Sequence, residues 1–118
     1  MRILFIGDIV GSQGRHMVQE HLGRLVDEKK IDFVIANGEN ATGGFGLNQR
    51  SFRELADCGI DAFTTGNHTW DNKDIYNYID KEKRLVRPAN YPQGTPGRGW
   101  PEFRVGGRRL IVANRIGR

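Results

Sequence analysis

Three short apolar runs in this chain each end in a glycine-led polar cluster. Residues 2–6 (RILFI) lead into Gly7-Asp8, residues 32–36 (DFVIA) into Gly38-Glu39-Asn40, and residues 61–65 (DAFTT) into Gly66-Asn67-His68. Runs of this length bounded by turn-forming residues are strand candidates. Between the first two, Met17, Val18, Leu22, Leu25 and Val26 recur at helical spacing, which predicts an amphipathic helix over roughly residues 14–29, beginning near Ser12. A second helix is expected over about 49–57, with Asn48 as N-cap, Phe52, Leu55 and Ala56 turned inward and Gly59 as the stop. A third is expected over about 72–79, capped by Asp71, with Ile75, Tyr78 and Ile79 available for packing. Strand and helix alternate three times, so the expected class is α/β: a layered parallel sheet built from βαβ units, with right-handed crossovers and helices on both faces.

Beyond residue 86 the pattern changes. Pro88, Pro92, Pro96 and Pro101, with Gly94, Gly97 and Gly99, preclude regular structure as far as Trp100. An ordered loop stiffened by proline and anchored by Tyr91 and Trp100 is expected. Residues 102–105 and 109–113, joined by Gly106-Gly107, then read as a C-terminal β-hairpin. The sequence ends directly after this strand, an abrupt place for a domain to finish.

A chain of 118 residues is expected to form one domain, and it is long enough for a core without disulfides or structural zinc. Its single cysteine, Cys58, fits a reducing compartment and reads as a small buried apolar residue. With no apolar stretch of membrane-spanning length and no signal-peptide pattern, a cytoplasmic location is expected. Charge is unevenly placed. Residues 1–80 carry 8 Lys and Arg against 12 Asp and Glu, a balance of −4, whereas residues 81–118 carry 10 against 2, a balance of +8. The basic third suits a phosphate-bearing ligand, RNA, an acidic surface, or simply solvent.

In one parallel sheet the three polar clusters would emerge together at the carboxyl ends of the strands, where open α/β folds bind ligands. Asp8, Glu39, Asn40, Asn67 and His68 would then share a crevice rich in oxygen donors. Such a set suits hard or borderline divalent cations, which offset the repulsion of two neighbouring carboxylates. Individually, Asp8 reads equally as a helix cap, and Glu39 as a partner for an arginine. Glu39, in a bend flanked by Gly38, Gly43, Gly44 and Gly46, has two oxygens with which to join two cations, and Asn40 adds a neutral carbonyl oxygen. His68, titrating near neutrality, suits a proton donor to a leaving alkoxide. His16 and His21, five apart on a helix, cannot reach one ion and read as surface residues. The glycines at 7, 11 and 14 do not form the GxGxxG turn of dinucleotide folds.

The strings MRILFIGDIVGSQGR, ANGENATGGFGL, DAFTTGNHTWDNKDI and LVRPANYPQGTPGRG closely resemble the corresponding stretches of the YmdB-type branch of the calcineurin-like metallophosphoesterases. The similarity runs through the whole chain but covers only about the first half of the family's usual domain. It implies a dinuclear centre, commonly iron or manganese, that hydrolyses phosphodiesters including cyclic nucleotides. Carried over, Asp8 and Asn40 resemble ligands of one metal, Glu39 the bridging carboxylate, Asn67 a ligand of the other metal, and His68 the proton donor. Val10 stands where the wider superfamily has a histidine, in keeping with this branch. Further histidine ligands, including a Gly-His-x-His string, belong to segments the chain does not contain. Arg87 and Asn90 are expected to border the substrate pocket.

Two functions follow. One is a metal-dependent phosphodiesterase of which this chain carries part of the site. The other is a noncatalytic module that holds nucleotide or RNA, or self-associates through an exposed strand near 109–113.

Overall fold

The computed structural model describes residues 1–43 and 46–117. Gly44, one of the glycines flanking the second cluster, lies outside them. Strand β1 (Ile3–Ile6), helix α1 (Gly11–Lys29), β2 (Phe33–Asn37), helix α2 (Gln49–Asp57) and β3 (Ala62–Thr64) follow in the expected alternation. A 3-10 helix (Lys73–Asn77), β4 (Leu85–Val86) and the hairpin strands β5 (Glu102–Val105) and β6 (Arg108–Ile111) complete the chain. The four strands β1 to β4 form one parallel sheet in sequence order, and β5 pairs antiparallel with β6. The α/β class, the parallel sheet and the C-terminal hairpin are as expected from the sequence.

The placement of the helices is not. Because the strand order never reverses, successive right-handed crossovers all advance in one direction and stack on one face of the sheet. Leu22 of α1, Phe52 and Leu55 of α2, and Ile75 of the 3-10 helix join one apolar cluster with Val34, Ala36, Phe63 and Leu85 of the strands. The opposite face carries the hairpin instead: Phe33, Ala62 and Val86 pack with Phe103 and Val112. The hairpin covers only part of that face, and Ile3, Phe5 and Ile111 stay exposed at its open side.

Several local readings shift. Helix α1 begins at Gly11, after Val10, which offers no side-chain cap. The expected helix over 72–79 is a five-residue 3-10 turn whose cap is Asn72, through a bond from the Asp74 amide, and not Asp71. Asp71 is engaged elsewhere, with His68. Helix α2 is capped by Asn48 as expected, its Oδ1 accepting from the Ser51 amide at 2.8 Å. Strand β4 has no counterpart in the sequence reading. Its two residues are fully buried, yet they follow the charged run 81–84 and precede the proline segment.

The segment between β4 and β5 is an ordered connection, tied by Arg87 N–H to Arg98 O at 2.9 Å and by a parallel bridge between Val86 and Arg98. Pro88 and Tyr91 anchor it, but Trp100 is 65% exposed and does not. In the hairpin, Gly106 and Gly107 take φ of 56° and 80°, the left-handed pair that a two-residue turn requires, so β6 starts at Arg108, directly opposite Val105. Cys58 is half-buried, and burial pushes its thiol above the ordinary value. Among the described residues no helix is long and apolar enough to cross a membrane.

Candidate metal centre

All three polar clusters emerge at the carboxyl edge of the sheet, and backbone bonds lock their loops to one another. Ile9 N–H donates to Asn37 O at 3.2 Å and Gly11 N–H to Asn40 O at 3.0 Å, fastening the loop after β1 to the loop after β2. Gly38 N–H donates to Thr64 O at 2.9 Å, fastening the second loop to the end of β3. Neighbouring parallel strands ending at one level bring these loops together: Asp8 meets Asn40, Glu39 meets the His68 backbone, and Glu39 and Asn67 are the two of the five that line one common cleft among the described residues.

Asp8 and Asn40 touch directly. The Asn40 amide nitrogen lies 3.0 Å from each Asp8 oxygen, straddling the carboxylate. Its own carbonyl oxygen is buried and accepts no hydrogen bond among the described residues. A buried acceptor without a donor is costly in a folded protein.

Glu39 is held from three sides. One oxygen accepts from the Asn37 side-chain amide at 3.2 Å and the other from the His68 backbone N–H at 3.2 Å, while the Glu39 N–H donates to Asn37 Oδ1 at 3.2 Å. Its carboxylate also fills the space a side chain on Gly66 would occupy: a β-carbon there would stand 2.5 Å from Glu39 Oε2. The glycine that opens the third cluster thus leaves room for the carboxylate of the second. Asn67 is exposed and lines the same open cleft as Glu39, a space of about 800 Å³ over the ends of β2 and β3.

His68 Nδ1 lies 2.7 Å from Asp71 Oδ2. The Asp71 hydrogen bond raises the imidazole above its ordinary value, and the charges of Asp71, Glu39 and Asp8 push the same way.

Asn37 and Asp71 are the functional candidates the sequence reading missed. Asn37, last residue of β2, grips Glu39 at both ends. Asp71 sits three residues after His68, a spacing that a turn converts into contact and that was read instead as a helix cap. Arg87 does not border the cleft. It is buried, donates to Pro88 O at 3.0 Å and lines a separate cavity with Gly97 and Trp100. Asn90 lies beside the C-terminal segment, exchanging hydrogen bonds of 3.0 Å with the backbone of Ile116 in both directions. His16 and His21 are exposed on α1, near Glu20, as expected of surface residues.

Among the described residues, no group of three or more His, Cys, Asp and Glu side chains stands ready to hold a metal ion. The oxygen donors here include the amides Asn40 and Asn67, so a cation would draw on mixed carboxylate and amide ligation.

A family model described as YmdB-like protein matches residues 4–118. The chain is 52% identical over its whole length to a Bacillus subtilis protein named 2′,3′-cyclic-nucleotide 2′-phosphodiesterase, of which it covers 45%. Among solved structures, a hypothetical protein of Thermus thermophilus superposes with a TM-score of 0.94 at 46% identity, over all of this chain and 46% of that one. A structure titled as a novel phosphatase from Mycoplasma pneumoniae superposes with a TM-score of 0.90 at 32% identity, over 98% of this chain and 42% of that one. The chain therefore spans slightly less than half the length of the proteins it matches.

Proposed function

Because the chain belongs to the YmdB-like family, we propose that it is part of a metal-dependent phosphodiesterase that cleaves cyclic nucleotides or similar diesters. One observation carries this: the buried, unmatched oxygen of Asn40 beside the Asp8 carboxylate, at the same sheet edge as Glu39. In the present arrangement the Asn40 amide nitrogen does the work of a positive charge on Asp8. The two ends of a side-chain amide have nearly the same shape, so a cation at this point would exchange the N–H donor for the unmatched oxygen at little steric cost.

The donor set fits hard or borderline divalent ions such as Mn²⁺ or Fe²⁺. Asp8 and Asn40 would hold one, Glu39 would offer one oxygen to each of two, and Asn67 would serve the second. When bound, the pair would supply an acidified water and charge compensation for the phosphate. The residues of the chain handle position and protons. Asn37 and the His68 backbone fix the Glu39 carboxylate, and Gly66 leaves it room. Asp71 orients His68 through Nδ1, so Nε2 is the nitrogen that delivers a proton to the departing sugar oxygen. The Asp71 hydrogen bond raises the imidazole above its ordinary value and so favours the protonated ring.

Calorimetric titration with Mn²⁺ and Fe²⁺, paired with hydrolysis of bis(p-nitrophenyl) phosphate, tests the proposal. Metal binding by the chain should weaken at least tenfold in Asp8→Ala and Glu39→Ala. Any hydrolysis should disappear with it. Binding that is absent, or that both substitutions leave intact, would remove the metal centre.

A further inference from the structure

The +8 balance of residues 81–118 is met in part within the fold, where four of its eight arginines are engaged. Arg84 pairs with Glu82 and Arg109 with Glu102, Arg87 is buried against Pro88 O, and Arg98 donates to Asp80 O. Arg104, Arg108 and Arg115 have no such partner among the described residues, and Arg115 differs from the other two by its position. It forms no ion pair among the described residues, and it is the one cationic side chain among the described residues lining the cleft that holds Glu39 and Asn67.

Its place is fixed from both sides. Before it, Ala89 N–H donates to Asn114 O at 2.8 Å, and the Asn114 side-chain amide donates to Thr65 O at the end of β3. After it, Ile116 and Asn90 exchange two hydrogen bonds of 3.0 Å. A residue clamped between two such neighbours is an exposed arginine on a rigid support at the mouth of a cleft whose other charged lining group is an acid.

We propose that Arg115 binds the two non-bridging oxygens of the substrate phosphodiester and sets its position over Glu39 and Asn67. This rests on the phosphodiesterase reading for the identity of the ligand. A phosphodiester is an anion entering a cleft that presents carboxylates, and a guanidinium fork matches two phosphate oxygens in one plane. An ammonium on the same support would supply the charge without that fork. Arg115 is thus a positioning residue that recognises the phosphate group and not the base or sugar.

The test is a binding titration in EDTA, so that it stands apart from metal loading and turnover. A nucleoside 2′,3′-cyclic phosphate is added to the chain while the Arg115 Nε–H resonance and the dissociation constant are followed by NMR. The Nε–H signal should move on titration, and the parent nucleoside, lacking phosphate, should leave it in place. Arg115→Gln should weaken binding about tenfold, the loss expected for a charged hydrogen bond. Arg115→Lys should fall between the two, and Arg104→Gln, on the exposed hairpin, should bind like the unaltered chain. Equal weakening by Arg104→Gln would mean general attraction to a basic chain and would overturn the assignment, as would an equal shift with the nucleoside. Loss of metal-dependent hydrolysis with this binding intact would instead remove only the catalytic proposal.

Discussion

Glu39 and Gly66 occupy one volume between them: the carboxylate lies where a β-carbon on the glycine would come within 2.5 Å of Oε2 and 2.6 Å of Oε1. Gly66→Ala should therefore displace Glu39 and break its bond with the His68 N–H. The clashing atoms are the end of a flexible side chain, so the expected cost is about 1 kcal/mol, the worth of the displaced Glu39 hydrogen bonds. In a Glu39→Ala background the same change should cost far less, since the clash partner is gone. A double-mutant cycle by urea denaturation measures the coupling, and additive effects would show that the two residues do not compete for space.

Asp71 and His68 make a second linked pair, with a pH signature. The imidazole value is raised in the folded state, first by the Asp71 hydrogen bond and then by the charges of Asp71, Glu39 and Asp8. The folded protein therefore holds this proton more tightly than the unfolded chain. Its contribution to stability is fully present below the unfolded value and is lost as pH rises through the folded one. Asp71→Asn should lower the His68 value, read directly by NMR titration of the ring protons, and flatten that part of the pH dependence. An unchanged titration would mean that Asp71 does not hold the ring in solution.

Helix α2 offers a plain stability check. Asn48 accepts from Ser51 N–H at 2.8 Å, satisfying one of the amides left open at the helix start. Asn48→Ala should cost about 1 kcal/mol, measurable as a lowered urea midpoint with an unchanged slope. Asn48→Asp should retain most of the stability.

Much of this arrangement was legible in the sequence because it depends on local pattern. Helix α1 announces itself through Met17, Val18, Leu22, Leu25 and Val26, and the hairpin turn through Gly106-Gly107. The five polar residues were legible as a set because each follows a strand run, and parallel strands bring their ends to one level. What escaped depends on neighbours in space. The side of the sheet that carries the helices follows from strand order, which no local pattern encodes. Strand β4 is two residues long, too short for any period to register, and is defined by its pairing with Phe63 and Thr64. Asp71 was read as a cap since Asn72 and Asp71 are both competent caps, and only the fold shows that Asn72 takes the cap while Asp71 turns to His68. Arg87 was misplaced for a similar reason: an arginine next to prolines gave no hint that its guanidinium would be buried against the Pro88 carbonyl.

The two faces of the sheet should respond unequally to substitution, and this tests the one-sided arrangement of helices. Phe63 on β3 is fully buried in the helix-side cluster and contacts the Phe52 ring, with centroids 4.8 Å apart. Truncating it opens a large cavity among Leu47, Leu55 and Leu85, so Phe63→Ala should cost about 3–5 kcal/mol. Phe5 on β1 points to the other face and is 59% exposed, beyond the cover of the hairpin. Phe5→Ser removes little buried area, and its cost should stay near about 0.5 kcal/mol, the level of ordinary surface changes. Denaturant unfolding of the two variants side by side decides the matter. A Phe5→Ser loss comparable to that of Phe63→Ala would mean that this open face is covered in solution, and that the strand β1 side of the sheet is as much core as the side under the helices.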